Sequence, residues 1–159
     1  MRIISVPQPW AAALLFGRVD LLPAPRRLPE PAIMLVHARD RDPRPLARQL
    51  EPRLPYEAEP WLTPRRHLVG VAEMVASATG PEVRRVVGRG CLAWAAGKRR
   101  MLFAEPVELV GSFAGEEGPE DLDWPTIHEA LGRLITPAEA RGVATGGPVT
   151  PSRDGWTGD

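Results

Sequence analysis

The sequence predicts a mixed α+β domain, a small β-barrel with short peripheral helices. Three observations carry that expectation. Apolar runs at 33–38, 67–75 and 101–110 have the length and β-branched content of strands. Nineteen prolines and fifteen glycines leave little room for long helices in 159 residues. One compact Ala/Leu segment near the start is apolar nearly all round, which suits an interior helix. Several short strands around one buried helix make a small barrel the simplest arrangement.

The elements follow in order. Arg2–Val6 is a β-rich run ending at Pro7. Pro9–Gly17 reads as a helix, with proline in the first turn, Ala and Leu inside and glycine at the C-terminal cap. Residues 18–32 hold four prolines and three arginines and form an extended basic loop with room for a short edge strand. Ile33–Ala38 is a central strand and Pro45–Leu50 a short helix. Residues 51–66 are proline-rich and irregular. His67–Val75 is a second strand, in which Gly70 marks a bulge or a close backbone approach. Glu82–Val87 suits a helical turn and Cys91–Ala96 is apolar. Met101–Val110 is a third long strand, bent at Pro106. After Gly111 the composition changes. Gly115–Asp121 reads as a solvated acidic linker, Thr126–Ile135 as a helix with Ile127, Leu131 and Leu134 on one face, and Pro137–Arg141 as one more turn. Residues 142–159 read as a mobile tail. The expected division is therefore a barrel domain over 1–111, then linker, helix and tail over 112–159.

Charge is divided in the same way. Residues 1–100 carry 17 basic against 9 acidic side chains, a net of +8, and residues 101–159 a net of −8. This pattern fits a basic binding surface followed by an acidic segment. It also fits a compositional bias, since 19 of the 20 basic residues are arginine. No apolar run is long enough to span a bilayer, and the N-terminus lacks the pattern of a secretory signal, so a cytoplasmic, membrane-free protein is expected. A lone Cys91 excludes an intrachain disulfide framework. The spacing of His37, His67 and His128 matches no zinc site, so neither metal nor cofactor is expected.

Four pieces then fall in a recognisable order. Ile4-Ser5-Val6-Pro7-Gln8-Pro9-Trp10-Ala11, with the helix ending at Gly17, resembles the opening of the ASCH domain, the activating-signal-cointegrator homology domain. Leu35-Val36-His37-Ala38 resembles that family's strand ending in His-Ala, and Leu68–Val75 its strand with a glycine and a following glutamate. Met101–Pro106 is similar to its strand leading into a proline turn. The resemblance covers about residues 1–111. It implies a PUA-like β-barrel that binds RNA or another nucleic acid in a cleft. Some small members resemble enzymes acting on RNA or on modified cytidine nucleosides. The family's lysine position falls on Val19 and its glutamate on Leu22, and neither side chain can act as base or nucleophile. The resemblance therefore implies a binding module ahead of an enzyme.

Candidate site residues follow from both readings. Gln8 either braces the helix start or reads a base edge, and Trp10 either anchors the helix or stacks on a base. His37 is a satisfied core histidine or a ligand contact. Glu73 is a paired surface carboxylate or a cleft acceptor. Arg18, Arg26, Arg27, Arg39, Arg41, Arg65 and Arg66, with Lys98, Arg99 and Arg100, are solvated charges or a phosphate-binding surface around one barrel mouth. The expected function is nucleic-acid binding with RNA favoured. The alternatives are a small hydrolase or ribonuclease using Glu73 and Lys98, and a degenerate barrel used for protein interaction.

Overall fold

A computed structural model describes residues 2–24, 26–81, 83, 92–109 and 122–144, the last four of these as backbone only. All but Val83 of the turn expected at Glu82–Val87, together with Cys91, the acidic linker and most of the tail, lies outside the described residues. The elements are β1 (Arg2–Gln8), α1 (Trp10–Leu15), β2 (Leu21–Pro23), β3 (Ala32–Arg41), α2 (Pro45–Leu50), two 3-10 turns (Glu51–Arg53 and Tyr56–Ala58), α3 (Glu59–Leu62), β4 (His67–Thr79), β5 (Leu92–Glu108), α4 (Trp124–Leu131), β6 (Leu134–Ile135) and α5 (Pro137–Ala144).

The strands form one six-stranded sheet in the order β1-β3-β4-β5-β2, with β6 also on β5. β1 runs parallel to β3, and every other pair is antiparallel. The fold is thus mixed α+β with a few short helices, and the sheet is not closed into a barrel.

The central strands are apolar without alternation because both faces of the sheet are covered. Side chains alternate across a strand. Ile4, Met34, Val36, Val69 and Leu102 accordingly pack with α1 on one face. Ile3, Leu35, Leu68, Val71, Met101 and Phe103 pack with Ile127 and Leu131 of α4 on the other. All six residues of α1 are buried, which answers its all-round apolar sequence. Gly70 sits where α1 crosses the sheet, between two register shifts of β4 against β5. A Cβ there would lie 2.6 Å from Leu15 Cδ1 and closer still to the Met101 carbonyl.

Three expectations change. Cys91–Ala96 and Met101–Val110 belong largely to a single strand, because Leu92–Glu108 is held along its length by β4. Pro106 falls where the register jumps from Gly70↔Leu102 to Leu68↔Val107, so its missing N–H interrupts no regular pairing. The helix expected over Thr126–Ile135 stops at Leu131. Asp123 caps its start, Gly132 caps its end, and Leu134 and Ile135 turn in to pair with Phe103 and Leu102. Residues 51–66 are irregular only in part: prolines at the first positions of successive short turns build a wall that buries Trp61 completely.

Candidate nucleic-acid interface

The C-terminal ends of β1 and β3 and the 51–66 wall enclose an open cleft of about 370 Å³. Gln8, Arg41, Glu51, Tyr56, Glu59 and Arg65 are among its lining residues. Tyr56 is 68% exposed, whereas Ala58 two residues on is fully buried. Its ring stands on a 3-10 turn that Pro55 starts, a rigid mount for a planar side chain.

Gln8 is 1% exposed and lies at the floor. Its Nε2 donates to the Trp61 carbonyl at 2.7 Å and the Pro64 carbonyl at 3.4 Å, and its Oε1 accepts from the Ala12 amide at 3.3 Å. Gln8 thus ties the start of α1 to the cleft wall. Trp10 is buried beside it and donates from Nε1 to Asp42 Oδ2 at 3.0 Å. Asp42 also takes the Arg44 guanidinium on both oxygens and the Arg44 amide. The Arg44 side chain is the main reason the Asp42 carboxyl is pulled down to about 2, and the Trp10 indole assists. Asp42 in turn donates its amide to the Gln8 carbonyl at 2.7 Å. Both Gln8 and Trp10 are therefore braced into the scaffold behind the cleft. On the rim, Arg41 forks the Glu51 carboxylate.

His37 is 3% exposed, on β3 opposite Ser5, whose Oγ lies 3.1 Å from Nδ1. Burial pushes its pKa down to about 4, against a smaller upward pull from the Arg66 backbone. His67 and Arg39 nearby lower it further. At neutral pH His37 is an uncharged brace.

Arg39, Arg65 and Arg66 gather at this same end, where β3 hands over to β4. All three are exposed, and among the described residues no carboxylate pairs with them. Arg66 adopts φ 61°, the left-handed region. That conformation costs a residue with a side chain roughly 1–2 kcal/mol. It is fixed from both sides: the Arg66 amide donates to the Ala38 carbonyl at 2.6 Å, and its carbonyl accepts from the Leu109 amide at 3.0 Å.

The remaining cations stand elsewhere. The Arg26 carbonyl accepts from Trp94 Nε1 at 2.8 Å, and the Leu28 amide donates to Ser77 Oγ at 2.7 Å. Arg26 and Arg27 are thereby placed near Ser77, on the order of 30 Å along β4 from His67 at ~3.3 Å per residue. Arg18 follows the end of α1. Arg100 turns inward: its Nη1 donates to the Leu14 and Val19 carbonyls at 3.0 and 2.9 Å, its Nε to the Gly97 carbonyl, and its Nη2 to Asp20. It is the C-terminal clasp of α1. Glu73 faces the bulged stretch of β5 between Ala96 and Arg100, with Lys98 and Arg99 in it. Val19 packs against the core and Leu22 is buried opposite Trp94, so neither apolar replacement leaves a polar group there. The guanidinium groups are thus gathered at several places and not around one mouth.

Tyr56, Glu51 and Glu59 were not indicated by the sequence reading. The available signal was a lone tyrosine in a proline-rich stretch, a segment too stiff to fold its ring away. Among the described residues no group of three His, Cys, Asp or Glu could hold a metal ion. No described helix is long and apolar enough to cross a membrane. No protein-family model matches the chain, and no curated protein matches it.

Proposed function

We propose that this chain is a cytoplasmic nucleic-acid-binding module of the ASCH type, its sheet an unclosed relative of the PUA-like barrel, and that it takes single-stranded RNA in preference to DNA. A base stacks on Tyr56 in the cleft, and Arg65, Arg66 and Arg39 hold the adjoining phosphates. The reading is carried by one observation: a 68% exposed aromatic ring at the mouth of a cleft whose rim carries arginines. An exposed ring in a cleft that Arg65 lines, without a carboxylate partner among the described residues, suits an unstacked base with its backbone, and single strands supply both. The opening motif supports the family assignment, with Gln8 and Trp10 as the braces that shape the cleft. Partner binding is tested by titrating single-stranded RNA, single-stranded DNA and duplex DNA across a salt series. The expected order of affinity is RNA, then single-stranded DNA, then duplex, with log K falling linearly with log salt. Equal, salt-independent affinities or no binding refute it.

A second reading has one observation in its favour. The register sets Glu73 against the bulge that holds Lys98, a carboxylate and an amine on one stretch of surface. In this reading the pair hydrolyses RNA or a modified pyrimidine nucleoside, with Glu73 as general base. Turnover by the wild type that Glu73→Gln abolishes supports it; no turnover by the wild type removes it.

A further inference from the structure

We infer that the corner between Pro64 and His67 is a phosphate-binding site in its own right, and that Arg66 occupies it for its guanidinium and against its backbone preference. The inference deepens the nucleic-acid reading and rests on it for the identity of the ligand: a phosphodiester or another clustered phosphate.

The argument starts from the backbone. Arg66 is the one residue other than glycine with positive φ among the described residues. Glycine is the residue that adopts this conformation without strain, and asparagine the next. The corner cannot relax, because the Arg66 amide and carbonyl are bonded to β3 and to the end of β5. The side chain is not buried for packing, since Arg66 is exposed. Nor does it answer a local charge: among the described residues no carboxylate pairs with it. Strain that the surrounding structure maintains points to a use for the side chain.

The neighbours make that use specific. Arg65 precedes it and lines the cleft, while Arg66 is not among the cleft's lining residues. Arg39 comes from the adjacent end of β3. His67 donates from Nδ1 to the Arg65 carbonyl at 2.7 Å, which holds the corner rigid. Two consecutive arginines, one toward the base cleft and one outside it, suit successive phosphates of a chain that crosses the corner. Arginine's planar fork fits such oxygens.

The test uses the full-length protein and two probes, a ten-nucleotide oligouridylate and inorganic tripolyphosphate. In Arg66→Gly and Arg66→Asn the corner keeps its shape and loses its charge, so both should melt no lower than wild type. Oligonucleotide affinity should fall about eightfold at ~0.05 M salt, the weight of one contact with a salt exponent of ~0.7 against a 1 M reference. The slope of log K against log salt should flatten by about 0.7. Arg66→Lys should retain the slope. Tripolyphosphate should raise the melting temperature of wild type and not that of Arg66→Gly. If wild type binds tripolyphosphate through Arg66 but no oligonucleotide, the corner stands and the nucleic-acid reading falls. If wild type binds the oligonucleotide and Arg66→Gly does so with unchanged slope, the inference falls and the reading stands. Melting of Arg66→Gly and Arg66→Asn well below wild type also overturns the inference, because Arg66 is then structural.

Discussion

Acid titration of His37 should destabilise this protein as pH falls from 6.5 towards 4. The folded pKa is about 4 against 6.5 for an ordinary histidine, chiefly because burial disfavours the imidazolium. Between those values the unfolded chain binds the proton and the folded chain does not, so stability falls as pH drops through the interval. Above 6.5 both states are neutral and the group adds no slope. At ~1.4 kcal/mol per pH unit the full gap is worth about 3 kcal/mol, of which about 2.5 kcal/mol is lost between pH 7 and 4.5. For a domain of this size that is a large share of a typical net stability of ~5–15 kcal/mol. The assay is urea unfolding at stepped pH, followed by the fluorescence of the buried Trp61 and Trp94. His37→Gln keeps a hydrogen-bonding side chain without a proton to gain, so its stability should change far less over the same window. Parallel pH profiles for wild type and variant would refute the reasoning.

Three further perturbations test the scaffold behind the cleft. Gly70→Ala drives a methyl group into Leu15 and the Met101 carbonyl, and should destabilise by about 3 kcal/mol in chemical denaturation. Arg100→Met removes the guanidinium's hydrogen bonds to the Leu14, Val19 and Gly97 carbonyls, of which Leu14 keeps the Gly17 amide, and should cost about 2 kcal/mol while Arg99→Met costs little. Asp42→Asn should lose about 2 kcal/mol at pH 7. Its carboxyl is held at about 2 against the ordinary 3.8, so the difference from wild type should shrink as pH falls from 3.8 to 2.

Much of this fold was legible where one physical signal dominated. The buried α1 follows from an Ala/Leu run between proline and glycine, and the centres of β3 and β4 from unbroken apolar stretches. The closeness at Gly70 was visible because glycine in a strand has few other uses. Legibility failed where tertiary pairing overrode local chemistry. Leu134 continues the helical spacing of Ile127 and Leu131, yet Gly132 ends the helix and an open position beside Phe103 receives it as a strand. Lys98-Arg99-Arg100 reads as a loop of charge, but β4 pairs on either side of it, with Arg100 and with Ala96, and the stretch is a bulge within one strand. For the candidate site, Gln8 and Trp10 of the opening motif and His37 all lie at the end of the sheet that bears the cleft. Their inward hydrogen bonding could not be read from residue type, because the partners are mostly backbone carbonyls and a distant Asp42. Arg65 and Arg100 look alike in sequence and differ entirely in space, one solvated at the cleft and one clasping a helix. Sequence reports that a guanidinium is present but not which acceptors the chain folds around it.

The affinity of Tyr56→Ala for single-stranded RNA, beside Tyr56→Phe, weighs most directly on the idea that an aromatic shelf receives a base here. Stacking on one ring is worth ~1–3 kcal/mol per base. Tyr56→Ala should therefore bind roughly tenfold or more weakly with no change in melting temperature, while Tyr56→Phe stays within about twofold of wild type. Undiminished binding by Tyr56→Ala would mean that no base rests on that ring.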